Sequence, residues 1–151
     1  MKTIVVAVDF SNITSTLIDK AAEMAACQKA RVYIIHVAAP DPEFVGYKVG
    51  PIYEREFRAS ELKKEKKELE QLAERLKELG IDAIPLLIQG ATAELILIET
   101  QRLEAGLLIM GTHGHGIAIT ALLGNTTNQV IKHISCPVLL IPYKKKSDKS
   151  E

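Results

Sequence analysis

Short apolar segments alternate with longer amphipathic ones along the chain. The short segments are almost continuously apolar and rich in β-branched residues, which is typical of strands buried on both faces of a sheet. They predict five strands, at residues 3–8, 31–38, 82–88, 107–110 and 138–141. Pro85 interrupts the third segment and has no backbone N–H to donate, so this strand is expected at an edge of the sheet.

The longer segments repeat their apolar residues at helical spacing. They predict a helix that follows the first strand and runs to about Cys27, and further helices at 53–79, 91–104 and 125–133. Ser11, Asn12 and Thr14 offer N-cap side chains for the first helix, and Gly80 is the expected C-cap of the second. Such an alternation requires right-handed crossovers and predicts an α/β fold, an open parallel sheet with helices on both faces.

The helix predicted at 53–79 is densely charged but carries one apolar stripe. The stripe consists of Leu62, Leu69, Leu72, Ala73, Leu76 and Leu79. It is too short for the three or four heptads that a coiled-coil seam needs. The pattern therefore favours a surface helix that packs on the domain and turns its charged face to solvent.

A chain of 151 residues fits a single domain. We expect that domain at 1–143, followed by a charged, disordered tail at 144–151. The prolines and glycines of segment 40–52 predict a long irregular loop, and loops of that length in compact domains are usually functional or mobile.

Charge and composition argue against several classes of function. Nineteen basic residues balance nineteen acidic ones, whereas proteins that hold nucleic acid or anionic membranes usually have a basic excess. No apolar stretch approaches the roughly 20 residues of a membrane span, and no signal peptide is recognisable. Cys27 and Cys136 share no metal-binding spacing; we expect two reduced core thiols, with one long-range disulfide between them as the alternative. We therefore expect a cytoplasmic protein.

The richest candidate for a site follows the fourth predicted strand. Ligands of open parallel sheets bind beyond the carboxyl ends of the strands. Three glycines stand there among six residues, Gly111 to Gly116, so backbone N–H groups can turn towards an anion. About ten residues further on, Gly124, Asn125, Thr126 and Thr127 open a helix whose free N–H groups form a second phosphate-binding surface. Together these elements indicate a nucleotide.

The spacing Gly111-x2-Gly114-x9-Gly124-Asn125 resembles the ATP-binding motif of the universal stress protein family. The segments VAVDFS, YIIHV, LLIMGTHGHG and SCPVLLIP match the family in the same order along nearly the whole chain. The resemblance implies a Rossmann-like sheet of five parallel strands in the order 3-2-1-4-5. Its first and fourth strands are then neighbours, which places Asp9 beside Gly111.

The resemblance also implies a site for ATP, or for ADP or AMP, with Mg²⁺ accompanying the nucleotide. The implied site comprises Ala7, Val8, Asp9, Val37, Met110, Gly111, Thr112, His113, Gly114, Gly124, Asn125, Thr126 and Thr127. Asp9 would approach the ribose and the metal, and Val37 would contact adenine through its backbone. The segment 110–114 would line the sugar and phosphates, and 124–127 would hold the β- and γ-phosphates. Asn125 replaces the usual Ser or Thr; it adds bulk but is a good N-cap and can still donate.

The histidines allow a second interpretation. His113 and His115 could share a metal ion with Asp9, although a zinc site normally needs three or four ligands of known geometry. His36 lies between apolar residues of the second predicted strand, which favours a hydrogen-bonded interior residue over a ligand. His133 stands near a helix C-terminus, where the helix dipole accounts for it.

The sequence favours a regulatory nucleotide-binding protein over an enzyme. The glycine loop lacks the P-loop spacing and its Lys, and no Arg or Lys lies between Arg102 and Lys132 to stabilise a γ-phosphate. A slow ATPase or nucleotidase remains one alternative. Another is a dimeric interaction module of the same fold with an empty site. For the nucleotide-binding protein and for both alternatives, the resemblance implies a homodimer that pairs through the edge strand Val138–Ile141.

Overall fold

The computed structural model describes residues 3–40, 52–113 and 123–143. Within these ranges the chain forms the strands β1 (Thr3–Ala7), β2 (Arg31–Ala38), β3 (Ala83–Gln89), β4 (Leu107–Gly111) and β5 (Val138–Ile141). The helices are α1 (Thr14–Gln28), α2 (Ile52–Glu78), α3 (Thr92–Arg102) and α4 (Asn125–His133). Most of the predicted loop at 40–52, the glycines Gly114 and Gly116 with His115, and the charged tail lie outside the described residues.

The five strands form one parallel sheet in the order β3-β2-β1-β4-β5. Both the open parallel sheet and the implied strand order are thus confirmed. Pro85 lies in β3 at one edge, as its missing N–H predicts. The order reverses between β1, which leads on to β2, and β4, so the carboxyl ends of β1 and β4 border the crevice where such sheets bind ligands.

Apolar side chains fill a layer on each face of the sheet. Alternate residues of β1 point to opposite faces, so Ile4 and Val6 pack with α1 and α2, whereas Val5 packs with α3 and α4. All three side chains are fully buried. The continuous apolar run of this strand therefore reflects helices on both faces, as predicted.

Helix α2 buries only part of its predicted apolar stripe. Leu69, Ala73 and Leu76 are fully buried, but Leu79 is 64% exposed, so its assignment to the stripe is wrong. The helix ends at Glu78, and Gly80 turns the chain in a left-handed conformation with φ of 80°. This capping turn directs Leu79 to solvent and brings Ile81 into the core instead.

The predicted side-chain cap of α1 is also wrong. The N-cap residue is Ile13, whose side chain cannot accept a hydrogen bond. The turn before the helix is held by backbone instead: the N–H of Thr14 donates to the Ser11 carbonyl oxygen over 3.0 Å. The hydroxyl oxygens of Ser11 and Thr14 are buried without a hydrogen-bond partner in the described part of the chain.

The two cysteines differ in environment, and neither is fully buried. Cys27 is exposed on the last turn of α1, which contradicts its assignment to the core, because the inward face of this helix is taken by Ala21 and Ala25. Cys136 is partly buried, and this burial raises the pKa of its thiol above the ordinary value. Both are free thiols.

None of the helices within the described ranges has the length and apolar character that crossing a bilayer requires.

Candidate functional site

A cavity of about 230 Å³ opens at the carboxyl ends of β1, β2 and β4. Residues from the first turns of α1, α3 and α4 complete its wall. Nine of the predicted site residues line it: Ala7, Val8, Asp9, Val37, Met110, Gly111, His113, Thr126 and Thr127. The structure thus brings together residues from three strand ends and a helix that are far apart in sequence.

The turn after β1 holds Asp9 at the cavity in a fixed conformation. Its Oδ1 atom accepts the backbone N–H of Ser11 over 3.0 Å, which forms an Asx turn. Phe10 adopts a left-handed conformation with φ of 60°, which costs a bulky residue free energy. The Phe10 ring packs on His36, with a centroid distance of 4.4 Å. This packing keeps the strained turn, and Asp9 with it, in place.

Gly111 ends β4 at a point where there is no room for a side chain. A Cβ atom there would overlap Cδ1 of Ile13 and lie 3.2 Å from the His113 carbonyl oxygen. The Thr127 hydroxyl donates to the Gly111 carbonyl oxygen over 2.9 Å. The glycine therefore lets α1 and the first turn of α4 both approach the strand end closely.

Hydrogen bonds of Thr112 join the end of β4 to the start of α4 and to the end of β5 beside the cavity. Its N–H donates to the Ile141 carbonyl oxygen over 3.0 Å, and its own carbonyl oxygen accepts the N–H of Gly124 over 2.8 Å. Its hydroxyl oxygen accepts the N–H of Tyr143 over 3.1 Å and lies 2.9 Å from Nδ1 of His113. Thr112 does not line the cavity, so its predicted contact with a ligand stays a prediction.

The first turns of α3 and α4 lack side-chain caps. Their N-cap residues, Ala91 and Gly124, offer no side-chain oxygen to the first N–H groups of the helix. Thr92 of α3 and Thr126 of α4 line the cavity. Uncapped N–H groups and the positive ends of two helix dipoles are therefore close to one recess, which favours an anionic ligand.

Asn125 is the first residue of α4, as the predicted helix at 125–133 requires, and it does not act as the N-cap. Gly124 takes an extended conformation and serves as the N-cap, which makes Asn125 the first helical residue. Its side chain is turned along the helix, where Oδ1 accepts a hydrogen bond from Nε2 of Gln129 over 3.4 Å. Asn125 and Gly124 do not line the cavity, and Gly114 lies outside the described residues.

Six further residues line the cavity without having been predicted as part of the site. They are Ile13, Leu17, Ile35, His36, Thr92 and Ile96. Only Thr92 had a usable signal, because it follows Gly90 just after the third predicted strand. Leu17 and Ile96 belong to the helices α1 and α3, and Ile13 directly precedes α1, so their place in the cavity depends on how those helices pack.

His36 is an interior residue with a hydrogen-bond partner, as predicted. It is 8% exposed, and Nδ1 lies 2.9 Å from the Val8 carbonyl oxygen. Asp9 and His113 both line the cavity, but no group of three His, Cys, Asp or Glu side chains is arranged for a metal ion in ranges 3–40, 52–113 and 123–143. His115, the other proposed ligand, is outside those ranges.

The chain resembles universal stress proteins in sequence and in fold. A universal stress protein of Thermus aquaticus is 31% identical over 144 residues, which cover 93% of this chain and 98% of that protein. The solved structure of the hypothetical protein MJ0577 superposes with a TM-score of 0.81 at 23% identity, covering 96% of this chain and 98% of the other. At this identity the superposition is evidence for a common fold.

Two further solved structures of universal stress proteins contain nucleotides. One is a complex with cAMP, with a TM-score of 0.65 at 22% identity over 93% of this chain and 96% of the other. The second, from Archaeoglobus fulgidus, is a complex with dAMP, with a TM-score of 0.63 at 20% identity over 93% and 97%. The model of the universal stress protein family matches residues 1–142, nearly the whole chain, and the chain therefore belongs to this family.

Proposed function

We propose that the cavity binds an adenine nucleotide and that the protein acts as a nucleotide-dependent regulatory switch. The observation that carries the proposal is the meeting of nine predicted site residues around one recess, beside two uncapped helix N-termini. Binding of cAMP and dAMP by proteins of the same fold supports an adenine nucleotide as the ligand. ATP, ADP and AMP are the candidates.

The residues that line the cavity form an apolar end and a polar end for the proposed ligand. Ile13, Leu17 and Ile96 offer apolar surface for a base, and Val37 lies at the end of β2 where its backbone is within reach. Asp9 would face the ribose and the Mg²⁺ ion that accompanies the phosphates. The cavity is small compared with the roughly 300–1,000 Å³ of typical ligand pockets. The phosphates would therefore extend towards the first turn of α4.

The charges around the cavity favour binding over rapid phosphoryl transfer. The residues that line the described cavity include neither Lys nor Arg. Phosphoryl transfer depends on stabilising charge on the γ-phosphate, for which backbone N–H groups, hydroxyls and a metal would remain. We therefore propose a binding protein, with slow hydrolysis as the second candidate activity.

We also propose a homodimer formed through β5. This strand lies at an edge of the sheet and is only half-buried along its whole length. An edge strand with unpaired backbone groups is a template for pairing with a second chain. Sedimentation velocity at micromolar concentration is expected to show a dimer. A purely monomeric profile would contradict the proposal.

The first experiment is to denature freshly purified protein and identify any released small molecule by mass spectrometry. We expect an adenine nucleotide. Protein that releases none is titrated calorimetrically with ATP, ADP, AMP and cAMP, each with and without Mg²⁺. Protein that carries no nucleotide and binds none of the four would contradict the proposal and leave the dimeric interaction module as the better function.

Adjacent threonines of α4 provide a matched pair of variants. Thr126→Val removes the hydroxyl of a residue that lines the cavity, so we expect nucleotide affinity to fall about tenfold with little change in stability. Thr127→Val removes the hydroxyl that donates to Gly111, so we expect the free energy of unfolding to fall by about 2 kcal/mol. Calorimetry and chemical denaturation measure the two effects. Equal affinity in Thr126→Val and wild type would place the phosphates elsewhere.

A further inference from the structure

The ring of His36 is buried between a strand end, a helix and the cavity. Nδ1 lies 2.9 Å from the Val8 carbonyl oxygen, and the ring packs on Phe10. On the other side, Nε2 lies 3.6 Å from Oε2 of Glu65 in α2. The side chain of His36 is only 10% exposed, and the ring also lines the cavity.

Hydrogen-bonding capacity fixes the state of Nδ1. A backbone carbonyl oxygen can only accept, so Nδ1 must carry the hydrogen that it shares with Val8. In a neutral imidazole the other nitrogen is then a bare acceptor. Nε2 would accordingly present a lone pair to the carboxyl group of Glu65.

The opposing oxygen makes this arrangement unfavourable without a further proton. Oε2 of Glu65 is buried and has no hydrogen-bond partner among the described residues. An ionised carboxylate is acceptor-only, so two groups of lone pairs would face each other over 3.6 Å, although the Glu65 side chain as a whole is 28% exposed. One additional proton removes this repulsion between lone pairs. On Nε2 it produces an ion pair, and on Oε2 it produces a neutral acid beside a neutral imidazole.

We propose that His36 and Glu65 share one dissociable proton, and that this proton makes His36 a positioning residue of the nucleotide cavity. With the proton, α2 is held through Glu65 and His36 to the end of β1. Without it, the Glu65 carboxylate is repelled and turns to solvent. The shared proton follows from the geometry alone, whereas its effect on affinity rests on the proposed nucleotide site.

The shared proton would act on the conformation of the end of β1. Val8 is followed directly by Asp9 and by the strained residue Phe10, both in contact with the cavity or with the His36 ring. A ring that tilts when Glu65 leaves moves the carbonyl oxygen of Val8 and the turn that holds Asp9. We therefore expect nucleotide affinity to be higher in the protonated state.

Other charged groups surround the pair. They are Arg58, Glu61, Lys64 and Glu68 on α2, and Asp9 and His113 at the cavity. Arg58 donates to the carbonyl oxygen of Ala39 and to Glu61, which anchors the same part of α2 to the end of β2. Carboxylates nearby favour the shared proton, whereas Arg58 and Lys64 oppose it.

The test begins with nucleotide-free protein. We record ring-nitrogen chemical shifts of His36 and the carboxyl carbon shift of Glu65 by NMR, from about pH 5 to pH 9. Nδ1 is expected to stay protonated throughout, while the pair loses one proton as the pH rises. A bare Nδ1, or shifts of both groups that do not change over this range, would overturn the proposal.

Two variants separate the shared proton from packing. In Glu65→Gln the amide can donate to a neutral Nε2, so the link needs no extra proton. In His36→Asn the amide can still donate to Val8 but does not reach Glu65. Hydrogen exchange in the first half of α2 should lose about tenfold protection with rising pH in wild type, none in Glu65→Gln, and be low at every pH in His36→Asn. Identical pH profiles in wild type and Glu65→Gln would overturn the proposal.

The last measurement is nucleotide affinity against pH. Affinity is expected to fall about tenfold with rising pH in wild type and to stay level in Glu65→Gln. Parallel profiles would show that the proton does not act on the site. If neither protein binds a nucleotide, the proposed function fails, but the NMR and exchange results still decide whether the proton is shared.

Discussion

Gly111→Val is expected to weaken nucleotide binding at least about a hundredfold. The Cβ atom alone overlaps Cδ1 of Ile13 and comes within 3.2 Å of the His113 carbonyl oxygen, and valine adds two methyl groups. Both neighbours line the cavity, so the new side chain can be accommodated only by filling it or by moving the strand end. Calorimetric titration measures the loss, and circular dichroism checks that the fold persists.

A graded pair of variants identifies the cause. Gly111→Ala adds only the Cβ atom, and we expect it to lower both stability and affinity. Ile13→Val removes the Cδ1 atom that the new Cβ would overlap and leaves Cγ1 at 3.6 Å, an ordinary contact. The double variant should therefore recover most of both losses. Additive effects in the double-mutant cycle would show that Ile13 is not the obstacle.

Leu76→Ala is expected to lower the free energy of unfolding by about 3 kcal/mol. Leu76 is fully buried between α2 and the sheet, where truncation removes apolar contacts and leaves a cavity. The matched control is Leu79→Ala, three residues further on. Because Leu79 is 64% exposed, its truncation should change stability by no more than about 0.5 kcal/mol.

Chemical denaturation of both variants and wild type gives the comparison. Equal losses in Leu76→Ala and Leu79→Ala would mean that α2 continues past Glu78 and buries the whole stripe, as the sequence pattern alone predicts. The structure replaces that pattern with a capping turn in which the Ile81 N–H donates to the Leu76 carbonyl oxygen over 3.1 Å.

Sheet and helices were predictable because their signals are local. Strands buried on both faces are continuously apolar, so β2 and β5 have the predicted bounds, β1 and β4 differ by one residue at one end, and β3 is shifted by one residue at both ends. Helix ends were less predictable. Whether Thr14 caps α1, or Leu79 belongs to α2, depends on one backbone conformation that several residue types allow.

The residues of the site, too, were predictable only where their sequence signals are local. Glycine and threonine spacing identified Gly111, Thr126 and Thr127, because close approach and helix starts have sequence signals. His36 was recognised only as an interior residue, because its second neighbour, Glu65, is 29 positions away on a helix whose docking the sequence does not specify. Contacts between elements that are distant in sequence have no local pattern from which to predict them.

The hydrogen bonds of Thr112 have a consequence for how the protein is made. They join the end of β4 to Ile141 and Tyr143, close to the end of the domain, and to Gly124 at the start of α4. Asp9, on the far side of the same cavity, comes from the beginning of the chain. Because the ribosome makes the chain from its N-terminus, Ile141 and Tyr143 are the last of these partners to emerge. The hydrogen bonds that hold the end of β4 beside the cavity are therefore complete only once β5 has been made, after the last lining residue, Thr127.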